Sequence, residues 1–175
     1  EDVRPFIHVA RLLREAGLNA PQVLARDVAG GFLLLTDLGT TTYLDALAAG
    51  SADAGALFTD AIDALIRWQL ASRAGELPPY DEALLRRELM LFPDWYVARH
   101  LGRTLEARQR ETLEAMFRRI IASNLAQPSV YVHRDYMPRN LMVSTPNPGI
   151  LDFQDAVHGP ITYDLASLLR DAFVS

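Results

Sequence analysis

In the stretch YVHRDYMPRNLMV, Tyr131–Val143, a single loop carries a His, an Asp and an Asn between apolar residues that read as strand ends. Downstream, STPNPG is dense in turn formers and is followed by GILDF, so LMV and GILDF read as two strands joined by a tight connection. With the turn centred at about Pro146, antiparallel pairing sets Asn140 opposite Asp152, and cross-strand neighbours have Cβ atoms about 5 Å apart. An amide oxygen and a carboxylate then share the open end of the hairpin, into which the Asp135 loop leads. Hard cations such as Mg²⁺ take oxygen ligands, with only one or two protein carboxylates beside substrate phosphates. Asn140 and Asp152 suit that role, which leaves Asp135 to accept a proton from an attacking hydroxyl. Phosphoryl transfer needs this division of labour, because its catalysis is mostly positioning and charge neutralisation.

The remaining elements must hold that loop. Asp2 is placed to cap a first helix with Phe6, Ile7, Val9, Ala10, Leu12 and Leu13 on its apolar side and Gly17 as its stop. QVLARD and GFLLLTD then read as a β-hairpin whose second strand is buried on both faces. From Thr42 to about Gln127 the pattern is helical, with a cap at Ser51 and apolar positions Ala56, Leu57, Ile62, Leu65, Ile66 and Leu70. After a break at 75–79, one helix runs from about Asp81 to Leu101, interrupted at Pro93, and another from Thr104 to Leu125. SVYV, LMV and GILDF are short strands. A closing helix from about Ile161 carries Leu165, Leu168, Leu169 and Phe173.

The chain has 175 residues, half of them hydrophobic, enough for a real core in one domain or two small lobes. Its net charge of −5 is scattered, so neither nucleic acid nor an anionic membrane is an expected partner. There are no cysteines, which excludes disulfides, thiolate nucleophiles and Cys-ligated zinc. All 17 basic residues are Arg, so no function that demands a lysine resides in this chain alone. No apolar run approaches the roughly 20 residues that cross a bilayer, and the chain reads as cytoplasmic. Beginning at Glu1 and stopping just after an apolar helical stretch, it reads as a piece cut at both ends.

HRDYMPRN matches the H-R-D-x-x-x-x-N loop of protein kinases, and LDF stands where their D-F-G aspartate would be. The order VHRDYMPRNLMV, then GILDFQDAVHGPITYDLASLLRD, resembles the aminoglycoside phosphotransferase family. GFLLLTDLG and ELMLFPDWYVARHL are similar to the bacterial amino-sugar kinases within it. The resemblance implies an α+β, protein-kinase-like fold, with a partial N-lobe and hinge over residues 1–40 and a helix-rich C-lobe over residues 41–175. It implies ATP and Mg²⁺ as cofactors, Asp135 as catalytic base, and Asn140 and Asp152 as metal ligands. Backbone groups of Thr36, Asp37 and Leu38 would meet adenine at the hinge, although Asp37 reads equally as a turn cap. Asp164 would brace the loop through backbone hydrogen bonds. The implied acceptor is the anomeric hydroxyl of an N-acetylated amino sugar such as N-acetylmuramate or N-acetylglucosamine. The alternatives are another small-molecule acceptor, an aminoglycoside among them, or a non-catalytic binding module.

The family's phosphate-covering loop and strand lysine are absent from this chain, so on its own it is expected to bind nucleotide feebly or not at all. His133 reads as a packed organiser of the loop. Arg134 and Arg139 flank Asp135, each placed either to orient a phosphate or to pair with an acid such as Asp164. His8, His100 and His158 show no second ligand at metal-binding spacing. Trp68, Trp95 and Tyr96 sit at helical positions and read as core rather than as a sugar platform, yet an aromatic beside a sugar ring is a common recognition device. Asp94, Trp95, Gln154 and Asp155 are the substrate-binding candidates. Nothing in the sequence specifies an oligomer.

Overall fold

Asp2 Oδ1 accepts the backbone N–H of Arg4 at 3.0 Å, and helix α1, Arg4–Glu15, runs from there. In this computed structural model residues 2–170 are described; Glu1 and Phe173 lie outside the described residues. Helix α1 ends where Gly17 turns left-handed (φ 71), and it buries Val9, Ala10, Leu12 and Leu13. Strands β1, Val23–Asp27, and β2, Phe32–Leu35, form an antiparallel ribbon. Burial of β2 on both faces does not hold. Among the described residues the strand has only β1 as a neighbour, so it alternates, with Phe32 and Leu34 facing solvent and Leu33 and Leu35 half-buried.

Thr42 and Asp45 form a reciprocal capping box at α2, Tyr43–Ala49. Helix α3, Ala54–Leu70, is capped by Asp53 rather than Ser51, because the Asp53 carboxylate reaches the Ala56 N–H at 2.7 Å. Its buried face is Leu57, Ala61, Ala64, Leu65 and Trp68, so Ile66 and Leu70 are exposed on the far side. Asp81 caps α4, Glu82–Leu91. The coil does not break at Pro93. Proline cannot donate to the i−4 ladder, and the chain widens there into a π-helical segment, Phe92–His100. Helix α5, Ala107–Leu125, begins three residues later than expected, at the Glu106 cap.

The C-terminal third returns to short strands: β3, Ser129–Val132; β4, Leu141–Met142; β5, Gly149–Ile150; and β6, Val157–Pro160. Strand β6 is invisible in the sequence, because VHGP carries a Gly and a Pro that depress strand propensity. It pairs antiparallel with β3, and Gly159 is required there, since a Cβ would lie 2.5 Å from the Tyr80 Cβ. Helix α6, Tyr163–Leu169, buries Leu168, while Leu165 and Leu169 are exposed.

One core joins α1, α2 and α3 to Tyr131, Tyr136, Leu141, Ile150 and Phe153. A smaller one packs Tyr80 and Leu85 against Ile121, Val132 and Val157. The Phe6 ring on α1 packs at a tilt against Phe153, centroids 4.6 Å apart, so the first helix rests directly on the segment that follows Asp152. Among the described residues no helix is long and apolar enough to cross a membrane. Leu13 is fully buried at the centre of the larger core. Leu13→Ala should lower the unfolding free energy by about 2–5 kcal/mol, read as an earlier midpoint in urea at unchanged slope.

Candidate active site

Two consecutive amides open the Asp135 loop, and one carboxylate takes both. The Asp164 Oδ2 accepts the His133 N–H at 2.7 Å and its Oδ1 accepts the Arg134 N–H at 2.9 Å. Asp164 is fully buried at the start of α6; burial pushes its carboxyl up to about 7, against the opposing pull of the two amides. His133, equally buried, donates from Nε2 to the Leu151 carbonyl at 2.9 Å and accepts the Asp135 N–H on Nδ1 at 3.3 Å. A carbonyl can only accept and an amide N–H can only donate, so these partners fix a neutral tautomer. Burial accordingly lowers the His133 pKa to about 4.

Asn140 ends a 3₁₀ turn, Pro138–Asn140, and its Nδ2 donates to the Asp135 carbonyl at 2.9 Å. The β4–β5 ladder pairs Leu141 with Ile150 and Met142 with Gly149. The turn therefore centres between Thr145 and Pro146, not on Pro146, because its six residues leave none at the middle. Leu151 is opposite Asn140 and donates its N–H to the Asn140 carbonyl at 3.0 Å. Asp152 nonetheless comes alongside, with its Oδ2 3.5 Å from Asn140 Nδ2, because its own backbone is left-handed (φ 60) and leaves the ladder. Gln154 Nε2 holds the other Asp152 oxygen at 2.8 Å.

The Asp135 carboxyl is half-buried and lines a cavity of about 480 Å³ with Arg87, Glu88, Leu91, Arg134 and Tyr163. Burial and then the charge of Asp152 raise its pKa, while Arg134 and Arg139 pull it back. Arg134 does not pair its guanidinium with Asp164; it reaches Glu88 on α4 at 2.5 Å, leaving Asp164 for the backbone. Arg139 is exposed on the 3₁₀ turn. Glu88 is a residue that sequence reasoning missed, because a lone Glu on an amphipathic helix carries no signal of a partner 46 residues away.

The other candidates are more scattered. Thr36 closes the β1–β2 ribbon, exchanging hydrogen bonds with the Gln22 backbone, and Asp37 caps its own turn by accepting the Gly39 N–H at 2.9 Å. Leu38 packs against Gly149 in β5. Gln154 and Asp155 adjoin the Asp152 segment, and the Asp155 carbonyl accepts from Arg134 at 3.3 Å. Asp94 lies elsewhere, in a cavity of about 380 Å³ between the π-helical segment and α5. Trp95 is exposed and carries the Arg99 guanidinium 3.9 Å above its ring.

This architecture is the one found in aminoglycoside phosphotransferases. The ADP-bound aminoglycoside phosphotransferase APH(2'')-Ib superposes with a TM-score of 0.68 over 98% of this chain and 61% of its own, at 16% identity. The sequence pattern of the phosphotransferase enzyme family matches residues 1–175, and the chain belongs to that family. An N-acetylmuramate/N-acetylglucosamine kinase of Pseudomonas aeruginosa is 59% identical over the whole chain, which covers 51% of that protein. Its namesake from Neisseria meningitidis is 48% identical over 98% of the chain and 52% of its own length. The chain thus spans about half the length of the curated relatives it matches.

The buried histidine has a consequence for stability. A folded-state pKa near 4 against 6.5 for a free histidine means that the unfolded chain holds more protons across that window. The folded state should therefore lose stability, by up to a few kcal/mol from this group, as pH falls from 6.5 towards 4. The raised Asp164 carboxyl contributes in the opposite sense over the same window, so the His133 share is read as a difference: the urea midpoint of His133→Gln should rise relative to that of the wild type as pH falls from 6.5 towards 4.

Proposed function

We propose that this chain forms the phosphotransfer centre of an ATP- and Mg²⁺-dependent kinase whose acceptor is the anomeric hydroxyl of an N-acetylated amino sugar. The observation that carries the reading is the convergence of Asp135, Asn140 and Asp152 at one end of a hairpin, on a loop tied down by a buried carboxylate. The names and the level of identity of the amino-sugar kinases it resembles support the acceptor.

Asn140 and Asp152 suit a divalent cation, because an amide and a carboxylate are the hard oxygen donors that Mg²⁺ takes. The rest of such an ion's shell would fall to nucleotide phosphates and water. When bound there, the ion would neutralise phosphate charge. Gln154 keeps the Asp152 carboxylate aimed, and the Asn140 amide ties the metal side of the site to the Asp135 carbonyl.

Asp135 faces a cavity that would hold the acceptor. Its carboxylate accepts the hydroxyl proton as the sugar oxygen forms its bond to the γ-phosphorus and the bond to the ADP leaving oxygen breaks. Its raised pKa makes it a better proton acceptor than a solvated carboxylate. Thr36 and Leu38 would present backbone groups to adenine between the ribbon and the helical body. Arg134 is committed to Glu88 and to the Asp155 carbonyl, so we assign it to holding the loop rather than to binding phosphate.

In the full-length protein, ³²P from ATP should pass to N-acetylmuramate and N-acetylglucosamine and not to kanamycin. Asp135→Asn should lower kcat by about 10²–10⁴. Label on kanamycin alone would replace the sugar with an aminoglycoside, and no label on any acceptor with magnesium present would overturn the reading.

A further inference from the structure

Glu88 gathers three donors from three separate parts of the chain. Its Oε1 takes the Arg134 guanidinium at 2.5 Å, and its Oε2 takes the hydroxyls of Tyr80 and, at 3.3 Å, Tyr163. The two tyrosine rings pack at 5.2 Å, so the carboxylate sits against an aromatic pair, and neither it nor Arg134 is more than a quarter exposed. An ion pair in such a setting is weakly screened and has a fixed geometry, unlike one between mobile surface side chains.

The partner it fixes is the residue immediately before Asp135. Arg134 has a left-handed backbone (φ 78), a conformation that a non-glycine residue keeps only when its surroundings over-determine it. Three anchors do so here: its N–H on Asp164, its Nη1 on the Asp155 carbonyl and its Nη2 on Glu88. The first belongs to α6 and the second to the segment after Asp152. Glu88 alone brings α4 into the set, and it shares the wall of the cavity that Asp135 lines.

We infer that Glu88 is a positioning residue for Asp135, acting through Arg134. It couples helix α4, a wall of the acceptor cavity, to the direction in which the Asp135 carboxylate points. This inference rests on the phosphotransfer reading of the site and adds to it a residue outside the loop and the hairpin.

The test is steady-state sugar phosphorylation by the full-length protein. Glu88→Gln should lower kcat about ten- to a hundredfold, as expected when a reacting group is displaced by a fraction of an ångström or more. KM for ATP should stay within about twofold, since nucleotide binding does not pass through this contact. Arg134→Met should reproduce the loss, and the double variant should be no slower than the worse single one. Wild-type kcat in Glu88→Gln, or losses that multiply in the double variant, overturns the inference. If Glu88→Gln does not fold, Arg134→Met tests the link from the loop side, and an unchanged kcat there overturns it equally. Active wild type with inactive Asp135→Asn but normal Glu88→Gln removes only this inference. Inactive wild type removes the phosphotransfer reading and this inference with it.

Discussion

A buried carboxylate that accepts two successive backbone amides governs the geometry around Asp135. Buried N–H groups must find acceptors, and a carboxyl group presents two oxygens that can take two neighbouring amides at once. By taking the His133 and Arg134 amides, Asp164 determines the direction in which the loop leaves β3. The His133 ring then lies where its two nitrogens bridge Leu151 and Asp135, which joins the loop to the end of β5. Each contact presupposes the previous one, and all of them lead back to a side chain on α6.

The electrostatics around Asp135 follow from a chain whose cations are all guanidinium groups. Arg134 and Arg139 both pull the Asp135 pKa down. Against them stand burial and the carboxylates of Asp152 and Asp155. The balance leaves a carboxyl whose pKa is raised above its ordinary value, which strengthens it as a proton acceptor.

How much of this was legible in the sequence depended on the range of the interaction. The Asp135–Asn140–Asp152 grouping could be read because turn formers and strand patterns are local, even though the register was off by one residue. Asp53, rather than Ser51, caps α3 because both residue types cap well and only the position of the first helical turn decides between them. The exposure of Phe32 and Leu34 could not be read, since an apolar run does not disclose how many neighbours its strand has. Nor could β6 or Glu88, which owe their roles to β3 and Arg134. Chemistry carried by motif spacing was visible, whereas chemistry carried by distant pairing was not.

The distances along the chain between the loop and its anchors matter for how the molecule assembles. His133 meets Leu151 across 18 residues and Asp164 across 31, and Arg134 meets Glu88 across 46. Closing such loops is entropically unfavourable until the elements that carry the anchors are already in place. Helices α3 and α5 are held by local contacts, whereas the Asp135 loop is held by anchors on α4, the hairpin and α6. The site is therefore complete only once α6 is in place, and during synthesis its Asp164 anchor becomes available only after α6 has emerged.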